Sequence, residues 1–213
     1  MVKAIIFDMG GVLMDLDVEA CRQAFVEDLG YSEIDRILDP CHQKGILGDL
    51  EEGTVTAEEF RSAIIAEARP GILPEDVDKA LWRILVGVEP SKVALLKKLS
   101  KRFDLYMLSN NNPVCLPRSE KIFEQSGLPV SEYFRKCYFS FRMKSLKPSA
   151  AFYKAVIEDI GLPAEELLFI DDSARNVDGA IAAGLPAVYY EPGTDLSKCI
   201  SDALGDPTVI LNE

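Results

Sequence analysis

The sequence predicts an α/β fold, a doubly wound parallel sheet carrying one helical insertion, and three observations carry that prediction. Short apolar runs recur at 2–8 (VKAIIFD), 103–109 (FDLYMLS), 136–140 (KCYFS), 167–171 (LLFID), 186–190 (PAVYY) and 207–211 (PTVIL). Their length suits strands buried on both faces. Segments of helical period stand between them, and a strand, helix, strand rhythm implies parallel strands with helices on either side. One long region, 17–88, breaks the rhythm with helical patterning alone.

Taken in order, the first run is β-branched and aromatic and stops on Asp8, followed by Gly10 and Gly11. The insertion comes next: VEACRQAFVEDLG, AEEFRSAIIAEA and EDVDKALWRILVG read as helices, punctuated by Gly53, Pro70, Gly71 and Pro74. Phe60, Ile64 and Trp82 read as its internal packing, and His42, the sole histidine, as a surface or packing residue. KVALLKKL (92–99) is helical, and the second strand ends in MLSNNNP, at Ser109 and Asn110. After the third strand, Lys147 lies in SLKPSAAFY; Lys144 competes with it, but the following Pro148 and helix select Lys147. Phe152, Val156, Ile157 and Ile160 share one face of the next helix, which Gly161 stops. The fourth strand ends in the pair Asp171 and Asp172, and NVDGAIAAG closes on Gly184 before the last two runs.

Composition limits the function. A chain of 213 residues that is 48% apolar can bury a core and host one domain plus an insertion. With 35 acids against 23 bases, the net charge of -12 argues against nucleic-acid binding, which needs a basic face. Any anionic substrate must meet local positive charge. Cys21, Cys41, Cys115, Cys137 and Cys199 are scattered and odd in number, which suggests neither a disulfide framework nor a zinc site. No stretch approaches the ~20 apolar residues of a membrane span, and the N-terminal apolar run is too short for a signal peptide. The expectation is a soluble cytoplasmic protein without a membrane partner.

In an open parallel sheet, ligands bind beyond the carboxyl ends of the strands. There the sequence assembles a carboxylate that can act as nucleophile (Asp8), a hydroxyl (Ser109), a lysine (Lys147) and two further acids (Asp171, Asp172). Two adjacent acids after LLFI need a cation, because like charges buried together repel. The set suits phosphoryl transfer: the anion is held by Ser109 and Lys147, and a hard cation by the carboxylates.

These four motifs, FDMGGVLMD, LSN, the Lys-Pro of LKP, and FIDDSARNVDGA, resemble in order those of the haloacid dehalogenase (HAD) superfamily of aspartate-nucleophile phosphohydrolases. The resemblance covers nearly the whole chain. It implies a Rossmann-like core at 1–16 and 89–213 and a helical cap at 17–88. It also implies that Asp8 forms an aspartyl-phosphate. Mg²⁺ would be held by Asp8, the Gly10 carbonyl and Asp172, with Asp171 as a direct or water-mediated partner. Lys147, the Ser109 hydroxyl and the Asn110 backbone N–H would hold phosphate oxygens.

Most phosphatases of the family carry a second aspartate two residues after the nucleophile, as general acid and base; here that residue is Gly10. Such assistance is worth ~10²–10⁴-fold. A branch with FD-x-G-x-V, resembling bacterial α-glucose-1-phosphate phosphatases, shares the glycine, and its lack of the acid disfavours a phosphomutase. Asp15 and Asp17 read as hinge or helix-capping residues, with Asp15 the nearest substitute acid in sequence. The expected function is a Mg²⁺-dependent phosphatase of a small phosphorylated metabolite such as a sugar phosphate, working as a monomer or homodimer. The alternatives are a weak or inactive binding protein on the same fold, and a metal-independent dehalogenase.

Overall fold

The computed structural model describes residues 1–39 and 43–209, so Cys41, His42 and the end of the 207–211 run lie outside the described residues. The strands are β1 (Ala4–Phe7), β2 (Asp15–Leu16), β3 (Leu85–Gly87), β4 (Asp104–Ser109), β5 (Lys136–Phe139), β6 (Leu167–Asp171) and β7 (Ala187–Tyr189). Five of them form the predicted parallel sheet in the order β5-β4-β1-β6-β7. β1 is central, and the chain winds outward from it first through β4 and β5, then through β6 and β7. Phe7 pairs with Met107 on one side and with Ile170 on the other. That register sets Asp8 level with Asp171 at the carboxyl end of the sheet.

The insertion contains α1 (Val18–Gln23), α2 (Gly45–Glu52), α3 (Ala57–Glu67) and α4 (Pro74–Trp82). Asp17 caps α1 through the Ala20 N–H, and Thr56 with Glu59 forms a capping box on α3. Phe25, Phe60, Ile64 and Leu81 are buried together in a cluster that also takes in Val114 and Cys115 from the segment after β4. Two details correct the sequence reading. The helical pattern written through Gly87 stops at Trp82, and Leu85–Gly87 pairs antiparallel with Asp15–Leu16. Once the chain leaves α4 it must return to the core beside its own point of departure, and two short strands side by side satisfy the backbone there. The last predicted strand is not one over its described part: Pro207–Val209 is a 3-10 turn. Pro207 lacks an N–H, and the Asp206 carboxylate captures the N–H and hydroxyl of Thr208 at 2.9 and 2.7 Å.

The core helices are α5 (Pro90–Leu99), α6 (Leu116–Gln125), α7 (Val130–Tyr133), α8 (Ser140–Met143), α9 (Ala150–Ile160), α10 (Ala174–Ala182) and α11 (Leu196–Leu204). Strand alternation divides them. Ile5 and Phe7 face the layer containing Leu96, Leu116 and Ile200, whereas Ala4 and Ile6 face Phe152, Val156 and Ala180. Each fully buried Phe or Ile contributes roughly 1.5–3 kcal/mol.

Contacts between insertion and core are specific. The Trp82 indole N–H donates to the Val114 carbonyl at 2.8 Å, and the Ser140 hydroxyl donates to the Glu51 carbonyl at 2.6 Å. Lys92, almost fully buried, pairs with Asp15 at 2.7 Å beside β2. On the other side of the sheet, α10 passes the Lys147 to Pro148 segment so closely that a Cβ on Gly179 would lie 2.7 Å from Pro148 Cβ and 2.9 Å from its carbonyl oxygen. Gly179→Val should therefore lower stability by about 1–3 kcal/mol through overpacking. The expected reading is a lower urea midpoint with an unchanged slope.

Candidate active site

The register of β1, β4 and β6 brings the predicted residues to one place. Asp8, Gly10, Ser109, Asn110, Lys147 and Asp172 all line a single cavity of about 160 Å³. Its floor is the carboxyl end of the sheet; its other side is largely apolar, with Leu47, Leu81 and Ile84 from the insertion beside Gln43 and Glu51. Asp171 does not line it. It lies beneath, fully buried, as the partner of Lys147.

Lys147 is the hub. Its ammonium is 2.9 Å from Asp8 Oδ2 and donates to Asp171 Oδ2 at 2.6 Å, and the side chain is 1% exposed. Burial alone would lower the Lys147 proton affinity, but the charges of Asp171 and Asp8 overcome that and hold it well above its ordinary value. The segment carrying Lys147 is clamped by Asn110, whose Oδ1 accepts the Lys147 N–H at 2.8 Å and whose Nδ2 donates to the Lys147 carbonyl at 3.2 Å. Asn110 therefore positions the lysine with its side chain, a role beyond the backbone contact expected of it. Lys144, the competitor in sequence, is exposed and tied to the Gly53 carbonyl.

The carboxylates are fixed as firmly. Asp8 Oδ1 accepts the Met9 N–H at 2.6 Å. Asp171 Oδ1 accepts the Ser173 N–H at 2.8 Å, and Asn176 Nδ2 reaches both Asp171 oxygens at 3.0 and 3.2 Å. Asp171 thus has both oxygens engaged by protein. Ser109 sits buried at the strand end, its hydroxyl 3.1 Å from the Asn110 carbonyl. Desolvation pushes the Asp8 carboxyl well up; Lys147 opposes this, and the charges of Asp171 and Asp172 add to it. Desolvation and then Asp171 push Asp172 up to about 6.

Three carboxylates around one ammonium leave net negative charge in a desolvated place, the condition a divalent cation relieves. Asp8, Asp171 and Asp172 each offer an oxygen, all within 4.8 Å of one another. Hard oxygen donors of this kind fit Mg²⁺. Gly11 fits the same purpose: its φ of +74° is left-handed, and a Cβ there would fall 1.9 Å from Asp172 Oδ2.

Asp15 and Asp17 do not reach the cavity; one pairs with Lys92 and the other caps α1. Sequence reasoning missed Asn176, Ser140 and Glu51. Glu51 lines the cavity from α2, one turn after Leu47 and on the same face. That phase was its only sequence signal, since Glu52 beside it is the same residue type.

A family model described as a haloacid dehalogenase-like hydrolase matches residues 2–184. The chain is 32% identical over 217 residues to the D-ribitol-5-phosphate phosphatase of Bacteroides thetaiotaomicron, covering all of both chains. It is 26% identical over 228 residues to the phosphorylated carbohydrates phosphatase of Thermotoga maritima, covering 99% of this chain and 97% of that one. Among solved structures it is similar to a HAD family enzyme of Bacteroides thetaiotaomicron in complex with magnesium and inorganic phosphate. That match has a TM-score of 0.86 and 33% identity, and covers 93% of this chain and 98% of that one. Among the described residues, no helix is long and apolar enough to cross a membrane.

Removing the hub should expose the electrostatics. Lys147→Met leaves buried carboxylates without a counter-charge and should cost about 3–5 kcal/mol at neutral pH, measured without divalent cation. The sign follows from the raised Asp8 carboxyl: the fold binds protons more tightly than the unfolded chain does, so the deficit is full above the folded pKa and shrinks as pH falls. Denaturation at pH 7.5 and 5.5 should show the gap to wild type narrowing at the lower pH.

Proposed function

The chain belongs to the haloacid dehalogenase-like hydrolases, and we propose that Asp8 is the nucleophile of a Mg²⁺-dependent phosphatase acting on a phosphorylated sugar or sugar alcohol. One observation carries the reading: nucleophilic carboxylate, buried ammonium and second carboxylate converge on the floor of one small cavity. The sugar or polyol is supported by the names of the relatives, which act on D-ribitol 5-phosphate and on phosphorylated carbohydrates.

Asp8 attacks phosphorus and the leaving oxygen departs away from it; water then cleaves the aspartyl-phosphate. Lys147 and Ser109 hold phosphate oxygens together with the Asn110 N–H, so that charge building on phosphorus meets donors already in place. Asp171 keeps Lys147 charged and aimed. Asp8, the Gly10 carbonyl and Asp172 would hold Mg²⁺, with Asp171, whose oxygens are engaged by Lys147, Ser173 and Asn176, as a further carboxylate beside them. The ion supplies charge neutralisation between an anionic nucleophile and an anionic substrate.

Residues 17–88 serve as the cap over a core of 1–16 and 89–213, a division supported by the cluster around Phe25 and Phe60, whose described members all fall within 17–88 apart from Val114 and Cys115. The unpaired thiols of Cys21, Cys115, Cys137 and Cys199 suit a cytoplasmic setting, and the enzyme works as a monomer or homodimer. The metal-independent dehalogenase is disfavoured by the acidic trio. An inactive binding protein is disfavoured by full-length likeness to a phosphatase.

Asp8→Asn should fold normally and reduce phosphate release to background, because a neutral amide does not attack phosphorus. Residual turnover at a tenth of wild type would exclude Asp8. Activity should also depend on Mg²⁺ in the millimolar range and vanish in chelator, with Asp172→Ala reproducing the chelator's effect. Full activity without divalent ion would count against the metal site.

A further inference from the structure

The reading above leaves the leaving group without an acid. In-line attack by Asp8 sends the departing oxygen to the far side of phosphorus, toward the insertion. Among the described residues that line the cavity from the insertion, Glu51 is the only ionisable one; Gln43, Leu47, Leu81, Ile84 and Leu85 are not. Its carboxyl makes no hydrogen bond or ion pair with any described residue, although its backbone is held. The Ser140 hydroxyl donates to the Glu51 carbonyl at 2.6 Å and accepts the Asn111 N–H at 3.0 Å, which ties Glu51 to the loop after β4. Gly53, at φ +74°, brings the end of α2 so near α8 that a Cβ there would lie 2.3 Å from the Phe141 carbonyl oxygen. A carboxyl without a partner is thus anchored to the core and presented to the cavity.

We propose that Glu51 is the catalytic acid and base, supplied by the insertion in place of the carboxylate that Gly10 lacks. The inference rests on the phosphatase reading. In the first step the Asp8 oxygen forms a bond to phosphorus, the bond from phosphorus to the leaving oxygen breaks, and that oxygen takes the Glu51 proton to leave as a neutral alcohol. In the second, water attacks phosphorus and gives its proton to the Glu51 carboxylate, while the bond to Asp8 breaks. Inorganic phosphate, Asp8 as carboxylate and Glu51 as acid are restored.

The surroundings suit this cycle. Desolvation pushes the Glu51 carboxyl up to about 8, against the opposing charge of Lys147. Its other neighbours do not compete: burial pushes the Cys115 thiol far up, so it stays protonated, and Lys144 is occupied by the Gly53 carbonyl. Asp8 and Asp172 share the cavity, on its floor. At neutral pH Glu51 therefore holds a proton to give, which a primary-alcohol ester needs and an activated aryl ester does not.

The experiment compares p-nitrophenyl phosphate with D-ribitol 5-phosphate, using wild type, Glu51→Gln and Glu51→Asp with Mg²⁺. Glu51→Gln should lower kcat/KM on the sugar-alcohol ester about 10²–10⁴-fold, yet less than about tenfold on the aryl ester. Glu51→Asp should recover part of the loss. Wild type should show a limb falling above about pH 8 on the sugar-alcohol ester, and Glu51→Gln should lack it. Equal losses on both esters, or a loss confined to KM, would overturn the assignment in favour of substrate binding. No loss on the sugar-alcohol ester would overturn it outright. A wild type inactive on both esters would instead overturn the phosphatase reading, and this inference with it.

Discussion

An ammonium buried between two carboxylates governs the site, because such a group is tolerated only if everything around it is fixed. Taking three charges out of water costs several kcal/mol for each ion, recovered only through excellent geometry. The chain meets that demand with parts from each layer. The register of β1 against β6 sets Asp8 beside Asp171. Asn110 clamps the lysine's backbone, Ser173 and Asn176 saturate Asp171, and Gly179 lets α10 close on Pro148. Rigidity here serves the chemistry, since donors already in place need not reorganise as charge moves to phosphorus.

The two glycines after the nucleophile stand there for different reasons. Gly11 is required by the backbone, with a left-handed φ and Asp172 where a side chain would be. Gly10 is not so constrained. Its φ is not left-handed, and the nearest atom a Cβ would meet is Leu16 Cδ1, at 2.8 Å, the end of a side chain that is 41% exposed. Sterics therefore do not explain the missing acid. The apolar Leu16 beside Gly10 and the ionisable Glu51 beyond it place the apolar contact next to the nucleophile and the acid on the other side of the cavity.

The sequence revealed what is local and concealed what is tertiary. Asp8, Ser109 and the pair Asp171 and Asp172 were legible because each is a polar residue stopping an apolar strand, and a parallel sheet gathers such residues at one edge. Lys147 was legible only through Pro148 and the helix after it. β3 was obscured because ILVG continues a helical spacing from α4 and becomes a strand only through pairing with Asp15 and Leu16. The run at 207–211 carried strand-like composition, yet over its described part Asp206 captures Thr208 and turns the chain. Ser140 and Glu51 belong to no motif and meet only across 89 positions, whereas Asn176 sits inside FIDDSARNVDGA but ends no strand, and its role is seen only in its bonds to Asp171.

The cavity is lined from both the sheet edge and the insertion, and the two sides differ energetically. At the sheet edge the charges of Asp8, Lys147 and Asp171 are fixed by mutual contact. Glu51 differs in kind. Its elevated proton affinity comes first from desolvation, with Lys147 opposing it. Were α2 to lift from Ser140, the carboxyl would be rehydrated, fall back toward the ordinary carboxylate range and lose its proton at neutral pH. Burial and protonation are therefore linked at Glu51, so that the bond anchoring the end of α2 to Ser140 bears on the charge of a carboxyl in the cavity, whereas the charges at the sheet edge depend on one another.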